Sequence, residues 1–204
     1  MDHTTKKRHN KNSKKLFKNS IIERLSKSHI SVPISILSVY GIVIAYWGIS
    51  HDAINLLNLA WLFPVGVLTF TLAEYLIHRY VFHMLPDKPI KEKIAYNFHG
   101  VHHDYPNDKE RLAMPPIVSF ILSTVLFFFF RLVIGDYAFA FVPGFLIGYC
   151  AYLGVHYIVH AYRAPKNIFR TLWVHHGIHH FKDPERAYGV SSPLWDFVFR
   201  TMPR

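Results

Sequence analysis

Four stretches of this chain carry too little charge to be left in water. Residues 32–49, VPISILSVYGIVIAYWGI, hold no charged side chain, and residues 54–77, INLLNLAWLFPVGVLTFTLAEYLI, hold only Glu74, near the end. Residues 115–130, PPIVSFILSTVLFFFF, run on to Ile134 with Arg131 the only charge, and residues 137–159, YAFAFVPGFLIGYCAYLGVHYIV, carry none. A helix needs about 20 predominantly apolar residues to cross a bilayer. In hydrocarbon every backbone N–H and C=O must be satisfied internally, which selects helices. The expected fold is therefore all-α and integral to a membrane. Its four transmembrane helices form two hairpins, closed by tight connectors at 50–53 and 135–136. Pro64 is expected to kink the second helix.

The charged residues say which way round the helices sit. The chain carries 23 Lys+Arg against 13 Asp+Glu, a net charge of +10. Lys6, Lys7, Arg8, Lys11, Lys14 and Lys15 all fall in the first half of residues 1–30, which read as a basic, mostly disordered arm with a short helix around Ile21–Leu25. The membrane domain is then 31–204. Basic residues stay on the cytoplasmic side. The arm, the 78–114 segment and the chain from His160 onward are thereby placed on one side, cytoplasmic, with both termini. The basic excess is a topology signal and not a nucleic-acid footprint. No cleavable signal peptide is expected, because the apolar run starts late and no small-residue cleavage site follows it. Cys150 is the single cysteine, so there is no internal disulfide, and its apolar surroundings mark it as a small buried hydrophobe.

That topology gives the histidines their meaning. Eleven of the fifteen fall in four groups: HRYVFH (His78, His83), HGVHH (His99, His102, His103), HYIVH (His156, His160) and HHGIHH (His175, His176, His179, His180). All four belong to the cytoplasmic side, which scattered histidines would not do. On a helix, positions i, i+3 and i+4 share a face. His99, His102 and His103 can therefore aim at a common point, as can His156 with His160, and His176 with His179 and His180. His78 and His83 are about 140° apart on a regular helix. Either they reach different metals or the helix unwinds between them. His175 falls off the face of its neighbours. Neutral imidazole is the commonest protein ligand for iron, zinc and copper. Ten imidazoles exceed the needs of one ion, so two ions are implied. A closed structural zinc site would use cysteine, and a metal transporter would place ligands at the bilayer midplane rather than at one face. Two redox metals at a membrane boundary point to oxygen chemistry on a lipid.

The order HxxxxH, HxxHH, HxxxH, HxxHH resembles the fatty acid hydroxylase superfamily of membrane di-iron enzymes, which also holds sterol desaturases and carotenoid hydroxylases. The resemblance covers roughly residues 60–202. GYCAYLGVHYIVH (148–160) is similar to the third box of the fatty acid 2-hydroxylase branch, with Tyr149 and Tyr152 ahead of His156. HHGIHHF followed by YGVSSPLWDFVFRT (188–201) is similar to its C-terminal block, with Gly189, Trp195 and Asp196. The resemblance implies His78, His83, His99, His102, His103, His156, His160, His176, His179 and His180 as metal ligands. His175 then stands behind them. Tyr149 and Tyr152 are the candidate catalytic-site residues, either lining the acyl site or serving as ordinary aromatics of the membrane interface. Leu153 stands where that branch tends to carry an acidic residue. The implied cofactors are two iron ions, which zinc can replace in purified protein. The implied reaction is O2-dependent hydroxylation of a fatty acid or sphingolipid acyl chain, or alternatively of a sterol or carotenoid. No fused cytochrome b5-like domain is seen, so electrons are expected from a separate cytochrome b5, ferredoxin or reductase, in a bacterial inner membrane or the endoplasmic reticulum. Glu74, one turn before His78, either orients a ligand or marks the membrane boundary. Asp104, after the second box, is left with the same ambiguity.

Overall fold

The computed structural model describes residues 15–84 and 88–204, and the described residues are helical with no strand. Residues 1–14, the most basic part of the expected disordered arm, lie outside the described residues. Helix α1 spans Ser20–Leu25, where the sequence placed a short helix. Asn19 caps it, its side chain accepting from Ile21 N at 2.8 Å. Glu23 pairs with Arg111, and Ser28 N donates to Glu110 O at 3.1 Å, so the approach to the first apolar helix is stapled to the loop at 108–111.

The apolar runs form α2 (Ser31–Ser50), α3 (Leu56–Ile77), α6 (Pro116–Ile134) and α7 (Ala138–Ala161). Three continuous helical stretches, Ser31–Ser50, Leu56–Phe82 and Pro116–Ala161, are long and apolar enough to cross a membrane. The third is not one straight rod. Gly135 takes φ 61°, a left-handed conformation that needs no Cβ, and the chain turns back on itself there. Phe130 lies 4.7 Å from Phe141 ring to ring, and Phe127 lies 5.3 Å from Phe139. In an unbroken helix residues eleven apart would be separated by about 16 Å. Pro64 lies inside α3, which continues through it.

The central pair is α3 and α7, which run parallel. They meet at Gly66 and Gly144. A Cβ on Gly66 would lie 2.2 Å from Phe141 O, and one on Gly144 would lie 2.0 Å from Phe63 O. Small residues let helix backbones approach this closely, and such approach drives packing where there is no water to expel. Helix α2 packs antiparallel against α7, with Gly41 over Pro143 and the Ser38 hydroxyl 3.7 Å from Cys150 Sγ. Leu37, Leu62, Val142 and Leu146 fill the space between. The outer faces stay apolar and exposed, as at Val39, Ile42, Phe128 and Leu132, which suits lipid contact.

His78 follows the last residue of α3, and its counterpart His156 lies in the last turns of α7. Over that end lie α4 (Pro89–Ala95), α5 (Val101–Asp104), α8 (Arg170–Phe181) and the short α9 (Leu194–Val198). The C-terminal segment is tied to α3: Trp195 Nε1 donates to Thr71 Oγ1 at 2.9 Å, and the Tyr75 and Thr201 hydroxyls lie 2.9 Å apart.

Candidate metal centre

The two histidines five apart are reconciled by the backbone. From His78 to Phe82 the helix loosens into a single π-turn, in which His83 N donates to His78 O at 3.2 Å. Hydrogen bonding from i to i+5 stacks residues five apart on one side, and such turns recur at functional sites. Both rings therefore enter one group. A second π-turn, Tyr96–Gly100, leads into α5 and carries His99.

The ten histidines implied as ligands fall into two groups of five. His78, His83, His99, His103 and His179 form the first, and His102, His156, His160, His176 and His180 the second. Within each group one nitrogen from every ring lies within 4.8 Å of all the others. This corrects the expectation that each HxxHH triplet aims at one point. The residues at i and i+4 stay together, His99 with His103 and His176 with His180. The residue at i+3 is about 100° from i+4 around the helix, and it crosses over: His102 joins the second group and His179 the first. The groups adjoin, with the His103 and His180 rings stacked at 4.2 Å.

The donor set fits a metal. His179 Nδ1 donates to Arg186 O at 2.8 Å, and His78 Nδ1 donates to Tyr188 O. A carbonyl only accepts, so in both rings the proton sits on Nδ1 and the lone pair of Nε2 faces inward. His179 Nε2 and His83 Nε2 are buried with no hydrogen-bond partner among the described residues, a costly state for a polar atom unless something binds it. Where Nε2 atoms approach, they do so at 2.9 Å (His78 to His99), 3.0 Å (His99 to His103), 2.9 Å (His102 to His156) and 2.8 Å (His160 to His176). Nitrogens bonded at about 2.1 Å to one ion, at right angles, stand about 3.0 Å apart. Burial pushes His83 down to about 4 and His103 to about 3. Burial, then neighbouring histidines, hold His99, His102, His176 and His180 well below the usual range. All are neutral at pH 7 and free to donate to a cation.

Behind the two histidine groups stands a hub that composition does not advertise. Asp196 is fully buried. It accepts from Tyr188 N at 2.9 Å, Gly189 N at 2.7 Å and Thr201 Oγ1 at 2.7 Å, and its Oδ2 lies 2.9 Å from His175 Nε2. Burial pushes its carboxyl up, but bonds from His175, Thr201, Gly189 and Tyr188 outweigh this and hold it below its ordinary value. His175 is thus bound to the hub and contributes no nitrogen to either group. By gripping residues 188–189, Asp196 sets the carbonyl that orients His78. Glu74 accepts from Val190 N at 2.7 Å, from Ser191 N at 2.9 Å and from the Ser191 hydroxyl, so it anchors this same segment to α3. It reaches the histidine groups through the backbone of residues 188–191, and no described hydrogen bond joins it to a histidine. Asp104 accepts from Tyr96 OH at 3.1 Å. The orienting carbonyls of Arg186 and Tyr188 leave no mark in sequence. Asp196 had a signal only through the similarity of the C-terminal block. Tyr149 and Tyr152 stack at 6.1 Å inside the bundle, with Phe70 beside both, and Tyr152 stacks on His156 at 5.4 Å.

Comparison with known proteins gives consistent relatives. Residues 63–201 match the family model described as fatty acid hydroxylase. The chain is 41% identical over 143 residues to the ceramide very long chain fatty acid hydroxylase scs7 of Schizosaccharomyces pombe, covering 68% of this chain and 41% of that protein. It is 35% identical over 195 residues to the corresponding SCS7 of Saccharomyces cerevisiae, covering 94% of this chain and 50% of that one. It is 38% identical to a dihydroceramide fatty acyl 2-hydroxylase of Arabidopsis thaliana, covering 68% and 59%. The chain therefore spans about half the length of these relatives. A solved structure described as full-length scs7p, with only the hydroxylase domain visible, superposes with a TM-score of 0.81 at 35% identity, covering 93% of this chain and 72% of that one.

Proposed function

We propose a lipid hydroxylase function from one premise: this chain belongs to the fatty acid hydroxylase family. The substrate is a long fatty acyl chain, free or within a sphingolipid, and the product carries a hydroxyl at carbon 2. One atom of O2 enters the C–H bond. The other leaves as water after two electrons and two protons arrive, the electrons from a separate redox protein such as cytochrome b5, ferredoxin or a reductase. Two iron ions, when bound, supply the oxygen-activating redox chemistry.

The chain's own residues do the rest. His78, His83, His99, His103 and His179 would hold one ion, and His102, His156, His160, His176 and His180 the other. The carbonyls of Tyr188 and Arg186 fix two of these rings, a second layer of support that tunes metal sites. The stack of Tyr149 and Tyr152 runs from the bundle interior to His156. We assign it to the wall along which the acyl chain reaches the ions. Helices α2, α3, α6 and α7 are read as four crossings in two hairpins, with the histidine cap and both termini in the cytoplasm. Burial of the cap keeps water from the reacting carbon.

The observation that carries this reading is the sorting of ten histidines into two adjoining groups of five in a chain of this family. The test is mass spectrometry of membrane lipids from cells with and without the protein. Acyl chains heavier by one oxygen, located at carbon 2, are expected only with the intact chain. Their absence under an adequate electron supply would refute the assignment.

A further inference from the structure

The sorting of ligands has a regularity. Phe63, Gly66, Leu68, Ala73 and His78 recur 78 positions on as Phe141, Gly144, Leu146, Ala151 and His156. After Arg79 the shift becomes 77 and holds through His103, and the loop that follows is two residues shorter in the second copy. Tyr80 matches Tyr157, His83 matches His160, and His99, Gly100, His102 and His103 match His176, Gly177, His179 and His180. The single extra residue is Arg79, and it falls inside the π-turn, the form a one-residue insertion takes in a helix. HRYVFH without its arginine is HYVFH, beside HYIVH in the second copy.

The three-dimensional contacts obey the same correspondence. Gly66 meets Phe141 O and Gly144 meets Phe63 O, a reciprocal pair across an axis parallel to α3 and α7. After each HxxHH comes a matching loop, DKER at 108–111 and DPER at 183–186. In the first, Arg111 lies 3.4 Å from Asp108, and Glu110 N donates to Asp108 Oδ1 at 3.3 Å. In the second, Arg186 lies 3.6 Å from Asp183, and Glu185 N donates to Asp183 Oδ1 at 3.2 Å. Each copy keeps four of its five histidines for its own group. Each sends the fifth, His102 or His179, to the other.

We infer that the centre is a tandem repeat of one helix–histidine unit paired about a pseudo-twofold axis, and that the exchange of His102 and His179 makes the two ions bind cooperatively. The inference rests on the ligand reading above. His102 sits between His99 and His103 in that part of the cap. Once those two hold the first ion, the rotation of the helical turn is set and His102 already faces the second group. His179, between His176 and His180, does the same in return. The conformational entropy of ordering each turn is lost once for both ions, which is positive coupling.

The test uses the full chain, purified without a polyhistidine tag, stripped of metal and titrated with Co(II), whose absorption reports bound ion. The expected curve reaches two ions per chain with a Hill slope above one, and the first ion raises affinity for the second by about 5-fold or more. Changing His102→Ala or His179→Ala should bring the slope to one. Deleting Arg79 should leave two ions bound, because it only converts the first copy to the spacing of the second. Inserting an arginine after His156 should do likewise in the other copy, and it decides the matter if the deletion fails to fold. Deleting Tyr157, which gives a spacing with no counterpart, should lose one ion. A wild-type slope of one, or loss of an ion in the arginine insertion as in the Tyr157 deletion, would overturn the inference while leaving two-ion binding intact. Binding of no ion would remove the ligand reading and this inference with it.

Discussion

Replacing Asp196 with asparagine should loosen the first histidine group without touching a ligand. The buried carboxylate takes bonds from Tyr188 N, Gly189 N, Thr201 Oγ1 and His175 Nε2. In Asp196→Asn the amide oxygen can keep Tyr188 N and Thr201. His175 can switch tautomer and accept from the new NH2. Gly189 N–H has no such remedy, because it now faces a donor. One bond to a charged group is lost and one buried donor is stranded, each worth about 1–3 kcal/mol. The expected loss of stability is therefore roughly 3 kcal/mol, large against the usual total of about 5–15. The Tyr188 carbonyl, set by the same segment, moves off His78, and loss of such support lowers metal affinity by about 10–100-fold. The assay is metal content after dialysis against a chelator, alongside a thermal melt in detergent. Asp196→Asn should drop toward one ion per chain and melt lower. Unchanged melting with both ions retained would show that the hub does not position the ligand.

Three further outcomes follow from the same geometry. His179→Ala should abolish hydroxylated lipid, while His175→Ala, which frees Asp196 but leaves ten ligands, should cost about 10–100-fold. His51→Ala, exposed and stacked on Trp47 at the opposite end, should cost little, and equal loss at His175 and His179 would redraw the ligand set. Reporter fusions at residue 52 and at the C-terminus should report opposite sides of the membrane, and the same side would break the hairpin scheme. Stability of the metal-free protein should fall with acidity. The folded-state values of His83 (about 4) and His103 (about 3) lie below the unfolded value near 6.5, so their contribution is full above about pH 6.5 and lost as pH falls toward those values. A melt independent of pH across that window would contradict the burial of these rings.

Some of this was open to reading in the chain because it rests on local rules. Uncharged runs must become helices in lipid, and the observed bounds of α2, α3, α6 and α7 differ from the runs by a residue or two at most ends. The assignment of rings to ions was not open in the same way. The i, i+3, i+4 spacing of His99, His102 and His103, which puts them on one helix face, hides that His102 turns to the other group, since that depends on where α7 and α8 stand. The five-residue spacing of His78 and His83 admitted two geometries, and only the π-turn decides between them. The carbonyls of Arg186 and Tyr188 belong to every residue type alike, and the grip of Glu74 on Val190 and Ser191 joins positions far apart in sequence.

The most direct measurement is elemental analysis of the full chain, purified without a polyhistidine tag and assayed for hydroxylation in the same preparation. Two groups of five histidines predict a metal content approaching two ions per chain, iron in the active form, falling together with turnover when ligands of either group are changed. One ion per chain with activity intact would contradict the dinuclear account.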